Sequence, residues 1–204
     1  MVKVKVCGIT NPGDGIFAAE AGADAVGLVF AESPRRLSGE EAQGIAEALP
    51  RGVLKVGVFV NEEPEVVLRL SSKVGLDYAQ LHGDETPEAV DAVRERGLKV
   101  IKALRVLDAG SLKAIEVYEA DLFLLDAYSK EARGGTGESF DWELAKVLKG
   151  CDNILVSGGL TPENVREAVR FFDPYGVDAS SSLEDAPGKK NKERVRRFIG
   201  AAKG

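Results

Sequence analysis

The stretch VKVKVCGIT, residues 2–10, alternates valine with a polar residue and then breaks at glycine. Strict alternation puts Val2, Val4 and Val6 on one face of a strand and Lys3, Lys5 and Cys7 on the other. One face is uniformly apolar, whereas the other carries two ammonium groups and ends in a thiol. In a closed barrel the valines face the surrounding helices, and Lys5 and Cys7 face the axis.

Seven more short runs rich in Val, Ile, Leu and Phe follow: DAVGLVF (24–30), VLKVGVFV (53–60), YAQLH (78–82), LKVIKAL (98–104), DLFLLD (121–126), NILVSG (153–158) and YGVDAS (175–180). Their length and composition suit buried parallel strands. Helical patterns lie between them, at 11–23, 39–49, 63–74, 86–97 and 161–172. Asn11-Pro12, Thr86-Pro87-Glu88 and Thr161-Pro162-Glu163 read as helix starts. In each, a side-chain oxygen caps the helix, proline suits its first turn and an early acid suits the dipole. Eight β/α units without a linker or composition break predict one small (β/α)8 TIM barrel domain, α/β in class, over residues 1–204. A doubly wound open sheet is the alternative, but no G-x-G-x-x-G follows the first strand.

Such barrels place chemistry at the C-terminal ends of their strands. Strand one ends at Cys7, beside Lys5, whose ammonium favours a thiolate. An inert buried cysteine is the plain alternative. Strand six ends at Asp126 after four apolar residues, as a general acid or base would, or as a loop salt bridge would. The stretch that follows, AYSKEARGGTGESFDW (127–142), reads as a mobile loop through Gly134, Gly135 and Gly137, or as a plain flexible one. Strand seven runs into Gly158 and Gly159, and strand eight into Asp178, Ser180 and Ser181. Glycine amides and serine hydroxyls after strands seven and eight predict a phosphate site; a pair of tight turns is the other reading. The single histidine, His82, ends strand four, two residues after Gln80 on the same face. Arg35 and Arg36 follow strand two, and a guanidinium there suits a bidentate pair with a substrate carboxylate.

The remaining composition mainly excludes. A net charge of −6 disfavours a nucleic-acid partner. The basic run GKKNKERVRR (188–197) reads as a solvated helix face. No apolar run approaches the roughly 20 residues of a membrane helix, and no leader pattern precedes the first strand, so a cytoplasmic protein without membrane contact is expected. One histidine and two cysteines make a metal site improbable. Cys151 precedes strand seven, at the opposite end of the barrel from Cys7, so no disulfide between them is expected.

Taken in order, VKVCGITN, GADAVGLVF, SPR, VGVFVN, QLHG, LLD, GGTGESFDW, LVSGGLTPENV and the VDASS and PGKKN segments resemble the phosphoribosylanthranilate isomerase family of tryptophan biosynthesis along nearly the whole chain. The resemblance implies an Amadori rearrangement of N-(5-phosphoribosyl)anthranilate, with Asp126 as general acid and Cys7 as general base. It implies no cofactor, because the protonated imine formed on ring opening is itself the electron sink. It carries Arg35 over to the anthranilate carboxylate, Asp178 to the ribose hydroxyls, and His82, with Gln80 beside it, to the mouth. Gly137, Gly158, Gly159, Ser180 and Ser181 would hold the phosphate. The partner implied is a phosphorylated small molecule, and a homodimer is compatible with it.

Three positions depart from the family pattern. Ser182 replaces a glycine, at a cost of about 1 kcal/mol if the position needs a positive φ. Asn191 replaces the usual Asp, and Arg36 stands where an aromatic is common. Another phosphosugar barrel enzyme, including an indole-forming synthase using Lys102, is one rival; a barrel that binds a phosphorylated metabolite without chemistry is the other.

Overall fold

The computed structural model describes residues 1–108, 110–127 and 142–204. Eight parallel strands close into a barrel in sequence order: β1 (Lys3–Val6), β2 (Ala25–Val29), β3 (Leu54–Phe59), β4 (Tyr78–Leu81), β5 (Lys99–Val106), β6 (Leu122–Ala127), β7 (Ile154–Val156) and β8 (Gly176–Ala179). The helices are α1 (Pro12–Glu20), α2 (Gly39–Ala48), α3 (Pro64–Val74), α4 (Pro87–Arg94), α5 (Val165–Phe172) and α6 (Lys192–Lys203). Short 3-10 segments, Ser111–Glu116 and Trp142–Leu148, follow β5 and β6 in place of α-helices. A two-stranded hairpin, β9 (Glu184–Ala186) and β10 (Lys189–Lys190), lies between β8 and α6. Among the described residues no helix is long and apolar enough to cross a membrane.

The alternation of the first strand works as its sequence implies. Val4 and Val6 join the core between barrel and helices, with Val26, Leu28, Leu81 and Val177 from neighbouring strands. Inside the barrel, Ala25, Val56, Ile101, Ala103, Leu122, Leu124 and Leu155 fill a separate apolar layer. Cys7 packs above it with Val29 and Val58. The interior is therefore apolar toward the strand N-termini and polar toward their C-termini.

Asn11 and Thr86 cap α1 and α4, accepting from the amides of Asp14 and Ala89. Thr161 does not cap α5. Asn164 Oδ1 accepts from the Thr161 amide, the chain makes a turn, and the helix starts at Val165. The basic run is split. Asn191 caps α6, but Lys189 and Lys190 belong to the hairpin, and Lys190 is buried rather than solvated.

A buried pair braces the upper rim. Lys102 points outward from β5 and donates to Glu85 Oε2 at 2.7 Å and to the carbonyls of Leu81 and Gly83. Glu85 also accepts from the amides of Asn61 and Gly83, so one carboxylate ties the ends of β3, β4 and β5 together. Burial pushes this carboxyl up, but Lys102 and the amide donors outweigh it and hold it below the ordinary glutamate range.

Lys102→Met should cost about 3–5 kcal/mol in urea unfolding at pH 7, because it strands a buried carboxylate. Glu85 contributes stability above its unfolded-state pKa that is lost as pH falls through its lower folded-state value. The penalty of Lys102→Met should therefore shrink toward pH 4, where the stranded carboxyl takes up a proton. Gly27 generates a second prediction. A Cβ there would lie 2.5 Å from Cys7 Sγ and 3.0 Å from Cys7 Cα. Gly27→Ala should lower stability by about 1–3 kcal/mol and change the accessibility of Cys7, but not of Cys151, to a small alkylating reagent.

Candidate active site

A cavity of about 270 Å³ opens at the C-terminal end of the barrel. Cys7, Arg35, Gln80, His82, Asp126, Gly158, Gly159, Asp178, Ser180 and Ser181 all line it. The strand-end reading thus brings together residues far apart in sequence. Gly137 and the rest of its glycine-rich stretch lie outside the described residues.

On one side, Gln80 Nε2 donates to His82 Nδ1 at 2.7 Å, which leaves the ring proton on Nε2. That nitrogen donates to Asp126 Oδ2 at 3.0 Å. The order follows from the fold. Gln80 and His82 stand two apart at the end of β4, and Asp126 ends β6 two strands away. Asp126 is buried, and Gln80 Oε1 is buried with no hydrogen-bond partner among the described residues.

On the other side, Cys7 tops β1 and Asp178 lies on β8, where it is the register partner of Lys5. Lys5 Nζ donates to Asp178 Oδ1 at 3.0 Å in a nearly dry environment. The expected effect of Lys5 on the thiol is present but does not prevail. Burial pushes the Cys7 thiol above its ordinary value; Lys5 opposes this, and Asp178 reinforces it. Cys7 and Cys151 are both free thiols.

Arg35 differs from its sequence-based expectation. Its bidentate partner is within the protein: Nε and Nη2 donate to the two oxygens of Glu184 at 2.8 and 2.6 Å. Glu184 also accepts from Lys190 at 2.7 Å. Burial raises the Glu184 carboxyl, but its two cations hold it below the usual range. Arg35 still lines the cavity, and Nη1 takes no part in its fork with Glu184.

Glu184 and Lys190 are features that sequence reading missed. Lys190 is hidden inside a basic run, and nothing in Glu184's neighbours marks it as buried. Only the hairpin, which folds both back onto Arg35, reveals them.

Gly158 and Gly159 have φ of 77° and 68°, a consecutive left-handed pair that other residues rarely adopt. Ser180 and Ser181 face the same cavity from the end of β8. The cost expected at Ser182 does not arise. Among the described residues, only Asn61 and Asp173 have positive φ without being glycine. Ser182 instead donates to the Leu160 carbonyl and links the loops after β7 and β8. Asn191 is a helix cap bonded to Asp185, and Arg36 is exposed and outside the cavity lining. Lys102, braced outward under Glu85, does not line the cavity either, which removes the lysine an indole-forming synthase would need there.

Comparison with known proteins identifies the family. The family model described as N-(5'-phosphoribosyl)anthranilate (PRA) isomerase matches residues 4–201. The N-(5'-phosphoribosyl)anthranilate isomerase of Rubrobacter xylanophilus is 70% identical over 205 residues, covering 100% of both chains. A crystal structure of phosphoribosyl anthranilate isomerase in complex with reduced 1-(o-carboxyphenylamino)-1-deoxyribulose 5-phosphate superposes with a TM-score of 0.89 at 44% identity, over 100% of both chains. Monomers of the dimeric enzyme from Thermotoga maritima superpose with a TM-score of 0.88 at 42% identity, again over 100% of both chains. With a matching model across nearly its whole length and relatives of this identity, the chain belongs to the N-(5'-phosphoribosyl)anthranilate isomerase family.

Proposed function

We propose that this protein converts N-(5'-phosphoribosyl)anthranilate to 1-(2-carboxyphenylamino)-1-deoxyribulose 5-phosphate, a step of tryptophan biosynthesis, by general acid–base catalysis. The observation that carries the reading is that Cys7 and Asp126, on the ends of β1 and β6, line one cavity in a chain of this family. An aldose-to-ketose shift needs one group to give a proton and another to take one.

In this reading the Asp126 carboxylic acid gives its proton to the ribose ring oxygen as the C1'–O bond breaks. The nitrogen lone pair forms the protonated imine. The Cys7 thiolate removes the C2' proton, and the electron pair of that C–H bond moves toward the imine to give an enolamine. Tautomerisation then yields the ketone. His82, hydrogen-bonded to Asp126, holds the carboxyl in orientation, and Gln80 fixes the ring tautomer.

Substrate binding follows the same logic. The unsatisfied Gln80 Oε1 offers an acceptor to a substrate N–H or O–H. Asp178 lines the same cavity, where ribose hydroxyls would reach it. Gly158, Gly159, Ser180 and Ser181 supply backbone and hydroxyl donors for the phosphate, with Gly137 as a further donor by family resemblance. Arg35 would meet the anthranilate carboxylate through Nη1. A working free thiol suits a reducing compartment, which supports a cytoplasmic location. The dimeric Thermotoga relative supports testing the chain as a homodimer by sedimentation.

With phosphoribosylanthranilate generated in situ and its fluorescence loss followed, the native protein should turn over. Cys7→Ala and Asp126→Asn should each lower kcat by about 10²–10⁴-fold, with binding of the reduced product analogue retained. Activity undiminished in Cys7→Ala would remove the thiol as base while keeping the isomerase. No turnover by folded native protein would sink the isomerase. Arg35→Met should act mainly on KM, raising it about 10–100-fold, the size of a lost charged hydrogen bond. A change confined to kcat would displace Arg35 from the carboxylate.

A further inference from the structure

Cys7 sits among charged groups delivered by separate elements. Lys5 lies two residues earlier on the same inward face of β1, and Asp178 comes from β8. Arg35 comes from the loop after β2, and Glu184 and Lys190 come from the β9–β10 hairpin. His82 and Asp126 face the thiol across the cavity, and its contacts on β2 and β3 are the apolar Val29 and Val58.

These charges are unevenly divided. Glu184 uses both its oxygens on Arg35 and one of them again on Lys190. Among the described residues Lys5 has a single carboxylate partner, through one oxygen of Asp178. With Asp126 protonated, as the proposed reaction uses it, the charges around the sulfur are three cations (Lys5, Lys190, Arg35) and two carboxylates (Asp178, Glu184), an excess of one positive charge. Lys5 and Asp178 have side-chain exposures of only 3% and 6%, so water does little to screen that excess. A negative charge on sulfur balances it.

We propose that Lys5 is a positioning residue whose ammonium is the countercharge for a Cys7 thiolate, and that Asp178 anchors this ammonium while itself opposing the thiolate. The proposal rests on Cys7 acting as the base, but its test reads the thiol and not turnover.

The two halves of one ion pair then pull the thiol in opposite directions. Burial works against any anion at Cys7; Lys5 and, more weakly, Lys190 work for it, and Asp178 works against it. Removing either Lys5 or Asp178 breaks the same buried pair and damages the same barrel seam. A purely structural role predicts like effects from the two changes, and an electrostatic role predicts opposite ones.

The test is alkylation of the full-length protein by iodoacetamide, a neutral reagent, across pH, with each cysteine read separately by peptide mass spectrometry. Cys151 is partly exposed and serves as the internal reference for an intact fold. At pH 8, Lys5→Met should slow Cys7 alkylation about tenfold and move its profile to higher pH. Asp178→Asn should speed it about tenfold and move the profile to lower pH. Lys5→Arg, which keeps the charge, should stay within about threefold of the native rate. Should Lys5→Met fail to fold, seen as a faster Cys151 reaction, Lys5→Gln removes the charge while keeping a hydrogen bond to Asp178 and is read in its place. Shifts of the same sign in the lysine and aspartate variants, or no shift in either, would overturn the proposal. Opposite shifts in a protein without isomerase activity would support it while removing the isomerase reading.

Discussion

The barrel closes where β1 meets β8, and at that seam Lys5 and Asp178 are register partners joined by a buried ion pair. The two residues are 173 positions apart. No local contact holds the first strand to the last, so closing the seam bears the loop-closure entropy of nearly the whole chain. Space at the seam is tight. A Cβ at Gly176 would come within 2.8 Å of the Lys3 carbonyl. The same closure lets the Cys7 amide donate to the Ala179 carbonyl and brings Cys7 into one cavity with Ser180, so the site depends on the barrel being shut.

The barrel separates burden from chemistry along its axis. The lower interior is filled by aliphatic side chains whose removal from water supports the fold. The upper interior holds Gln80, Asp126, Asp178 and Lys5, all buried and polar. Buried polar groups are mostly partnered, and these are partnered in chains that cross from strand to strand, with Gln80 Oε1 the one fully buried atom of these four side chains that lacks a partner among the described residues. Lys102 and Glu85 do the same on the outer side of the rim and do not line the strand-end cavity, which separates bracing from cavity lining for chemically similar groups.

Much of this was legible in the sequence, for a physical reason. Parallel strands buried on both faces must be short and apolar, so VKVKVC, DLFLLD and NILVSG announce themselves, and their polar last residues stand out. The failures came where a local signal serves two structures. Thr161-Pro162-Glu163 has the composition of a helix start, yet Asn164 bonds back to Thr161 and makes a turn first. Lys190 is indistinguishable from its basic neighbours until a two-stranded hairpin buries it. The 3-10 segments after β5 and β6 are too short to show a helical period. Arg35 was identified by residue type and place, but its principal partner, Glu184, is 149 positions away and invisible to spacing.

That distant partner changes what an arginine at this place can do. A free guanidinium would collapse onto whatever anion arrived first, phosphate or carboxylate. Here Glu184 fixes two of its nitrogens in a planar fork, and Lys190 fixes Glu184. The guanidinium is thereby held in one orientation before any ligand enters, with the edge that remains turned to the cavity it lines. Its charge is also largely spent on Glu184, so it draws an anion weakly at a distance and selects by direction at contact. In the proposed reading the backbone and hydroxyl donors of the loops after β7 and β8 are then left to receive the doubly charged end of a substrate. In the same reading, pairing an active-site cation in advance, at the expense of raw attraction, would keep the two ends of such a substrate from exchanging places.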